Sequence, residues 1–223
     1  MTGRFAPFLE MVTLLGGGEL TPETVSELLT LAPNLVVCDG AAARALALGL
    51  TPDRVVGDMD SIADATRARL DPATLHEITE QDSTDFDKAL RTIAAPLVLG
   101  AGFTGRRLDH ELACYNALVR HPDRPCILVG GHDICFHAPR PLRLDLAPGG
   151  RVSLFPMAEV VVSTSGLEWE LERLRLAPWA RVGTSNRARS GPVEIAPEGA
   201  GLLVILPRAS LAAAIAALSS SAR

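Results

Sequence analysis

Short apolar runs in this chain keep stopping at a glycine or an aspartate, and a helix-like stretch follows each stop. Residues 12–15 run into Gly16-Gly17-Gly18, residues 35–38 into Asp39-Gly40, Val55-Val56 into Gly57-Asp58, and residues 97–99 into a glycine-rich turn that ends at Gly105. Strands this short that alternate with helices read as a parallel sheet, since parallel neighbours need a long crossover and a helix supplies one. The helix signals are specific. Thr21-Pro22 places a cap before a first-turn proline, and the alanine-rich stretch 41–48 closes at Gly49. A polar helix is expected over 63–70. Ser83 or Thr84 can cap a helix whose Phe86, Ala89, Leu90 and Ile93 share a face, and another runs from Asp109-His110 to Arg120.

Near residue 138 the texture changes. Pro139 and Pro141 read as a linker, and then runs at 142–146, 152–155, 159–162, 193–195 and 202–206 are separated by Gly, Pro and Ser, the pattern of a small antiparallel β domain. The expected fold is therefore α/β: a doubly wound, mostly parallel sheet over 1–138, then a small antiparallel β-sandwich or barrel over 142–210. Residues 211–223, rich in Ala and Ser, read as a marginal helix or frayed tail.

Two stretches carry the chemistry. V-V-G-D-M-D-S, residues 55–61, ends an apolar run with Asp58 and Asp60 one residue apart, which is how a strand tip offers oxygen ligands to a hard cation. Q-D-S-T-D-F-D-K-A-L, residues 81–90, crowds Asp82, Asp85 and Asp87 at a helix start. Acids there also favour the helix dipole, so ordinary capping is the competing reading for Asp85 and Asp87. His110, at the start of its helix, is either a general base or a packing residue.

Taken in order, Asp39-Gly40, Gly57-Asp58-Met59-Asp60-Ser61, Gln81-Asp82-Ser83-Thr84-Asp85 with Lys88, Gly105-Arg106-Arg107-Leu108-Asp109-His110, Gly166-Leu167-Glu168-Trp169 and Thr184-Ser185-Asn186 resemble the thiamine pyrophosphokinase family. The resemblance implies transfer of pyrophosphate from ATP to the hydroxyl of thiamine, with Mg²⁺ as cofactor and a homodimer as the working unit. It implies catalytic roles for Asp58, Asp60, Asp85 and Arg107, with the three acids holding the metal. Asp39, Gly40, Thr84, Lys88, Arg107 and Asp109 would bind ATP; Gln81, Trp169, Ser185 and Asn186 would bind thiamine. The chain departs from the family pattern at Ala41, Ala43, Arg106, Cys114 and Arg187.

Composition narrows the field further. A net charge of −5 gives no footprint for nucleic acid or an anionic membrane, so an anionic substrate needs local cations or a metal. Cys38, Cys114, Cys126 and Cys135 lack C-x-x-C spacing and sit among apolar residues, which suits reduced thiols and a cytoplasmic setting. Residues 1–15 hold an apolar run broken by Glu10, with no cleavage pattern, so no leader is expected. Two other classes stay open: a phosphatase that uses the Asp-x-Asp pair, and a nucleotide- or thiamine-binding module without catalysis.

Overall fold

The computed structural model describes residues 7–220. Its contacts divide into two compact units, Met1–Ala117 and Leu118–Arg223.

In the first unit β1 (Val12–Leu15), β2 (Asn34–Cys38), β3 (Arg54–Gly57), β4 (Leu75–Glu77) and β5 (Val98–Ala101) form a parallel sheet in the order β5-β1-β2-β3-β4. Every residue of β1 and β5 is buried, which is why these strands read as continuous apolar runs rather than alternating ones. Thr13, the polar exception, donates its hydroxyl to the Ala32 carbonyl at 2.7 Å. From β1 the chain steps to β2, β3 and β4 on one side, then returns to lay β5 on the other. The loops after β1 and β5 thus lie at the point where strand order reverses, the crevice in which open α/β sheets bind ligands.

The helices α1 (Pro22–Leu31), α2 (Ala42–Ala47), α3 (Asp64–Arg67), α4 (Asp85–Thr92) and α5 (Leu108–Arg120) connect these strands. Thr21 caps α1 by accepting from the Thr24 N–H, and Thr84 caps α4 by accepting from the Asp87 N–H at 3.3 Å. The helix expected over 63–70 shrinks to α3, none of whose residues is buried. With no apolar face to dock, only one turn holds.

The second unit is antiparallel throughout its paired strands. β6 (Cys126–Val129), β7 (Asp133–His137), β14 (Leu202–Pro207), β9 (Arg151–Pro156) and β12 (Gly183–Arg187) run side by side in that order. A four-stranded sheet has the order β11-β10-β13-β8, from β11 (Leu174–Leu176), β10 (Val160–Ser165), β13 (Val193–Pro197) and β8 (Leu142–Leu144). β8 and β13 alternate buried and exposed residues, the period-two pattern of a sheet with one covered face. The helix α6 (Leu211–Ser220) packs on β8 and buries Leu211, Ala214 and Leu218.

This differs from the expected organisation in three places. The units divide at Ala117 rather than at the prolines near 140, because β6 bonds to β7 and β7 to β14, which ties 126–137 to the C-terminal strands. Residues 211–220 take the helical one of the two expected forms, but as a docked helix rather than a marginal one; 221–223, like residues 1–6 of the expected leaderless start, lie outside the described residues. Thr184-Ser185-Asn186 belongs to strand β12, with a register shift between Gly183 and Asn186 and Ser185 at φ 63°. A bulge re-aims side chains in an otherwise ordinary strand, and its local sequence resembles that of a turn.

Candidate active site

The strand tips of β2 and β3 bring three aspartates together. Asp39, at the end of β2, is 1% exposed, and its carboxylate accepts from the Gly40 N–H at 2.6 Å and the Met59 N–H at 3.0 Å. Gly57 makes this possible. A Cβ at that position would lie 2.3 Å from Asp39 Cγ, so any larger residue would push the carboxyl off the strand tip. Met59 is held at φ 66°, an uncommon conformation for a side chain of its size, by that same bond to Asp39. The strained turn sets Asp58 facing α4. Asp58 Oδ1 accepts from the Asp60 N–H at 3.2 Å, and its Oδ2 accepts from Gln81 at 3.2 Å and from Lys88 Nζ at 3.3 Å.

From α4, Asp85 reaches the same place. Its Oδ1 is 3.7 Å from Lys88 Nζ, so one buried ammonium sits between two carboxylates supplied by segments 27 residues apart. Burial and the neighbouring Asp85 charge raise the Asp39 carboxyl to about 6, against an ordinary 3.8. Burial also raises Asp85, although Lys88 and a hydrogen bond from Asp39 hold it down in part. In Asp58 the burial effect is outweighed by hydrogen bonds from the Asp60 N–H and Gln81 and by Lys88, so its carboxyl lies below the usual range. Three acids with separated proton affinities therefore share one small region.

Beside them opens a cavity of about 320 Å³, walled by Gly16, Gly17, Gly18, Gly40, Thr84, Asp85, Phe86, Phe103 and Thr104 and by the charged or titratable Arg106, Arg107 and His110. The rings of Phe86 and Phe103 meet at 4.6 Å with a 57° tilt. The glycine turn is shaped by its neighbour rather than open to a ligand: the Gly16 N–H donates to the Ala101 carbonyl at 2.8 Å and the Gly18 N–H to the Gly102 carbonyl at 2.7 Å. Two arginines fasten its other side, Arg44 on the Gly18 and Leu20 carbonyls and Arg106 on the Gly17 carbonyl. Arg107 forms a fork with Asp109, at 2.6 Å and 3.2 Å, with both side chains well exposed. Cys38 and Cys114 also reach the wall. Burial raises both thiols, Cys114 to about 12, which leaves them protonated and inert at neutral pH.

Among the described residues no three His, Cys, Asp or Glu side chains are grouped so as to cage a metal ion. Magnesium does not require such a cage, since it commonly takes one or two carboxylates and completes its shell with phosphate oxygens and water. The hard oxygens of Asp58 and Asp85 fit that pattern. The ammonium already held between them marks a position where the field favours positive charge.

In the second unit Trp169 is 56% exposed. Asn186 fixes its backbone: Asn186 Oδ1 accepts from the Trp169 N–H at 3.2 Å, and Nδ2 donates to the Trp169 carbonyl at 2.7 Å. Oδ1 also accepts from the Arg187 N–H at 2.8 Å. Ser185, with an exposed side chain, is held through its N–H by Ser153 Oγ at 3.0 Å.

A model of the family described as "Thiamin pyrophosphokinase, catalytic domain" matches residues 25–128, and one described as "Thiamin pyrophosphokinase, vitamin B1 binding domain" matches 141–197. The chain belongs to the thiamin pyrophosphokinase family. Thiamine pyrophosphokinase 1 of Arabidopsis thaliana is 27% identical over 163 residues, which cover 65% of this chain and 61% of that protein. Thiamine pyrophosphokinase 2 of the same plant is 29% identical over 157 residues, 60% of this chain and 58% of that one. The chain thus spans about three fifths of the length of these relatives. Among solved structures, thiamin pyrophosphokinase from Geobacillus thermodenitrificans superposes with a TM-score of 0.70 at 22% identity, covering 88% of this chain and 96% of that one. The yeast structure gives 0.74 at 17% identity, covering 91% and 88%. These likenesses establish the shared fold of an α/β part and a separate antiparallel sheet.

Against this family background the expected site residues fall into groups. Asp39, Asp58, Asp85, Gln81 and Lys88 are linked by direct contacts, and Gly40, Thr84 and Arg107 line the cavity with Asp85. Asp60 is exposed, and it touches this network through its backbone N–H. Lys88 departs from expectation, since it is buried against carboxylates and is absent from the cavity wall. Asn186 departs too: its amide is committed to Trp169 and Arg187. Sequence reasoning missed Phe86, Phe103 and Thr104 as wall residues. Phe86 was visible only as part of the apolar face of α4, and Phe103 and Thr104 only as members of a glycine-rich turn.

Proposed function

We propose that this chain is a thiamine diphosphokinase, which transfers the pyrophosphoryl group of ATP to the hydroxyl of thiamine and releases AMP. The observation that carries the reading is the convergence of Asp39, Asp58 and Asp85, the last of which lines a cavity whose wall also bears Arg106 and Arg107. In the transfer, the thiamine hydroxyl oxygen bonds to the β-phosphorus of ATP, the bond from that phosphorus to the oxygen bridging to the α-phosphate breaks, and AMP leaves with that oxygen. Arg106 and Arg107 offer the cations that a polyphosphate needs in a cavity of this size. Asp58 and Asp85, with Asp60 beside them, would hold Mg²⁺, which when bound offsets charge on the phosphates. The hydroxyl proton passes to a carboxylate of this group. Thr84, Phe86 and Phe103 shape the wall on which the nucleotide rests. In the second unit, the exposed Trp169 ring offers a plane to a cationic heterocycle, and Ser185 offers a hydroxyl.

The same reading includes a homodimer, supported by the exposed faces of Trp169 and Trp179, and a cytoplasmic setting, supported by four buried cysteines that form no disulfide. Among the described residues no helix is long and apolar enough to cross a membrane. The test is direct. The purified chain is incubated with ATP, Mg²⁺ and thiamine, and AMP and thiamine diphosphate are followed together. Stoichiometric, thiamine-dependent appearance of both supports the kinase. Phosphate release without thiamine favours the Asp-x-Asp phosphatase, and binding without AMP favours the non-catalytic module.

A further inference from the structure

The family resemblance places Lys88 among the nucleotide contacts, yet its geometry describes another task. It stands in the first turn of α4, where the Thr84 cap fixes the helix start, and its side chain is 1% exposed. Its ammonium meets Asp58 Oδ2 at 3.3 Å and Asp85 Oδ1 at 3.7 Å, and the residue takes no part in the cavity wall to which Asp85 contributes. A lysine that serves phosphate needs its head in the cavity. This one has its head behind the carboxylates.

We propose that Lys88 is an internal counter-ion, a positioning residue that holds Asp58 and Asp85 in place and keeps them from loading a divalent cation until the nucleotide arrives. The inference rests on reading this region as a nucleotide–metal site. A buried ammonium and a divalent ion compete for the same carboxylate oxygens, and they repel each other strongly at this range. The ammonium removes one charge from the pair, so Asp58 and Asp85 together present about −1 rather than −2 to an ion that gives up its water reluctantly. A bound triphosphate adds several negative charges, and the balance then favours the ion. Lys88 therefore makes metal uptake conditional on nucleotide and prevents two bare carboxylates from repelling each other in the empty site.

The experiment uses Mn²⁺ as the probe, titrated by electron paramagnetic resonance into the full chain with and without a non-hydrolysable ATP analogue. Wild type is expected to bind Mn²⁺ weakly alone and at least tenfold more tightly with the analogue. Lys88→Met should bind Mn²⁺ alone at least tenfold more tightly than wild type, while the metal-free affinity for the analogue changes less than twofold. Unchanged Mn²⁺ affinity in Lys88→Met overturns the proposal, and so does a loss confined to analogue affinity, which would make Lys88 a phosphate contact. A second measurement needs no variant. Thermal melting of the wild type should shift with Mn²⁺ and analogue together and stay within a degree or so with Mn²⁺ alone; an equal shift with Mn²⁺ alone overturns the counter-ion role. Wild type that takes up Mn²⁺ under neither condition overturns the nucleotide–metal reading itself, an outcome distinct from conditional uptake that Lys88→Met leaves unaltered.

Discussion

The two units arrange their polar and aromatic groups in opposite ways. In the first, the polar groups are turned inward: Asp39 and Lys88 are both 1% exposed, and each acid in the group is tied to a backbone N–H, an amide or an ammonium. In the second, the polar frame is buried and an aromatic ring is out: the amide of Asn186 is used up in holding a tryptophan that is mostly exposed. Charge needs to be fixed before the substrate comes, because reorganising it costs energy during the reaction; an aromatic plane needs only to be accessible. The first unit therefore fixes its charged groups directly, and the second fixes the frame around an aromatic one.

If that contrast is real, substitution in the two units should separate turnover from binding. The largest effect is expected from Asp58→Asn, which keeps the shape but removes the charge at the centre of the first network. Turnover should fall on the order of a hundredfold to a thousandfold, with a small change in melting temperature. Near-normal turnover in a steady-state AMP assay would remove Asp58 from the chemistry. Asn186→Ala comes next. Three backbone groups lose their partner, so unfolding by urea should show a loss of about 1–3 kcal/mol, accompanied by weaker thiamine binding. Trp169→Ala should do less to the fold, since over half of the side chain already meets solvent. We expect a rise in the thiamine KM of about tenfold with kcat nearly kept, in line with about 1–2 kcal/mol for a cation on an aromatic face. A drop in stability as large as that of Asn186→Ala would make the ring a structural element instead.

How far the sequence disclosed all this depends on whether a feature is local. The parallel sheet was legible because strands buried on both faces leave runs such as V-T-L-L and L-V-V-C, and a cap at Ser83 or Thr84 was legible because capping is settled within four residues. The D-M-D turn could be read as a strand tip, yet nothing in its letters told that Asp39 would brace Met59 across 20 residues. The same limit hid the fate of Lys88, whose burial depends on what α4 faces. In the second unit β7, β11 and β12 were passed over. β11 is three residues long, and β12 carries G-T-S-N-R, a sequence that local chemistry assigns to a turn and that tertiary pairing with β9 makes into a strand. Contacts divide the chain at Ala117 because strand pairing ties β6 and β7 to the C-terminal strands, whereas the prolines mark a break in texture that falls between the residues matched by the two family models.

The smallest predicted effect tests the inward-facing half most directly, through pH. The Asp39 carboxyl titrates near 3.8 when unfolded and about 6 when folded, first through burial and then through the charge of Asp85. A folded state that holds its proton more tightly is favoured at low pH. Asp39 thus contributes stability that is full below about 4 and is lost as pH rises through about 6. Asp85, raised in the same direction, adds to that loss. Glu80 acts with the opposite sign: Ser83 and Arg91 hold its carboxyl at about 2, so its contribution is lost only as pH falls below 4.5. Stability measured by urea unfolding should therefore decline between pH 4.5 and about 6 and then level. Asp85→Asn removes one contribution and relieves the like charge beside Asp39, so the decline should be shallower and end at a lower pH. An unaltered profile would mean that burial alone sets Asp39 and that the two carboxyls, although in contact, do not feel each other's charge.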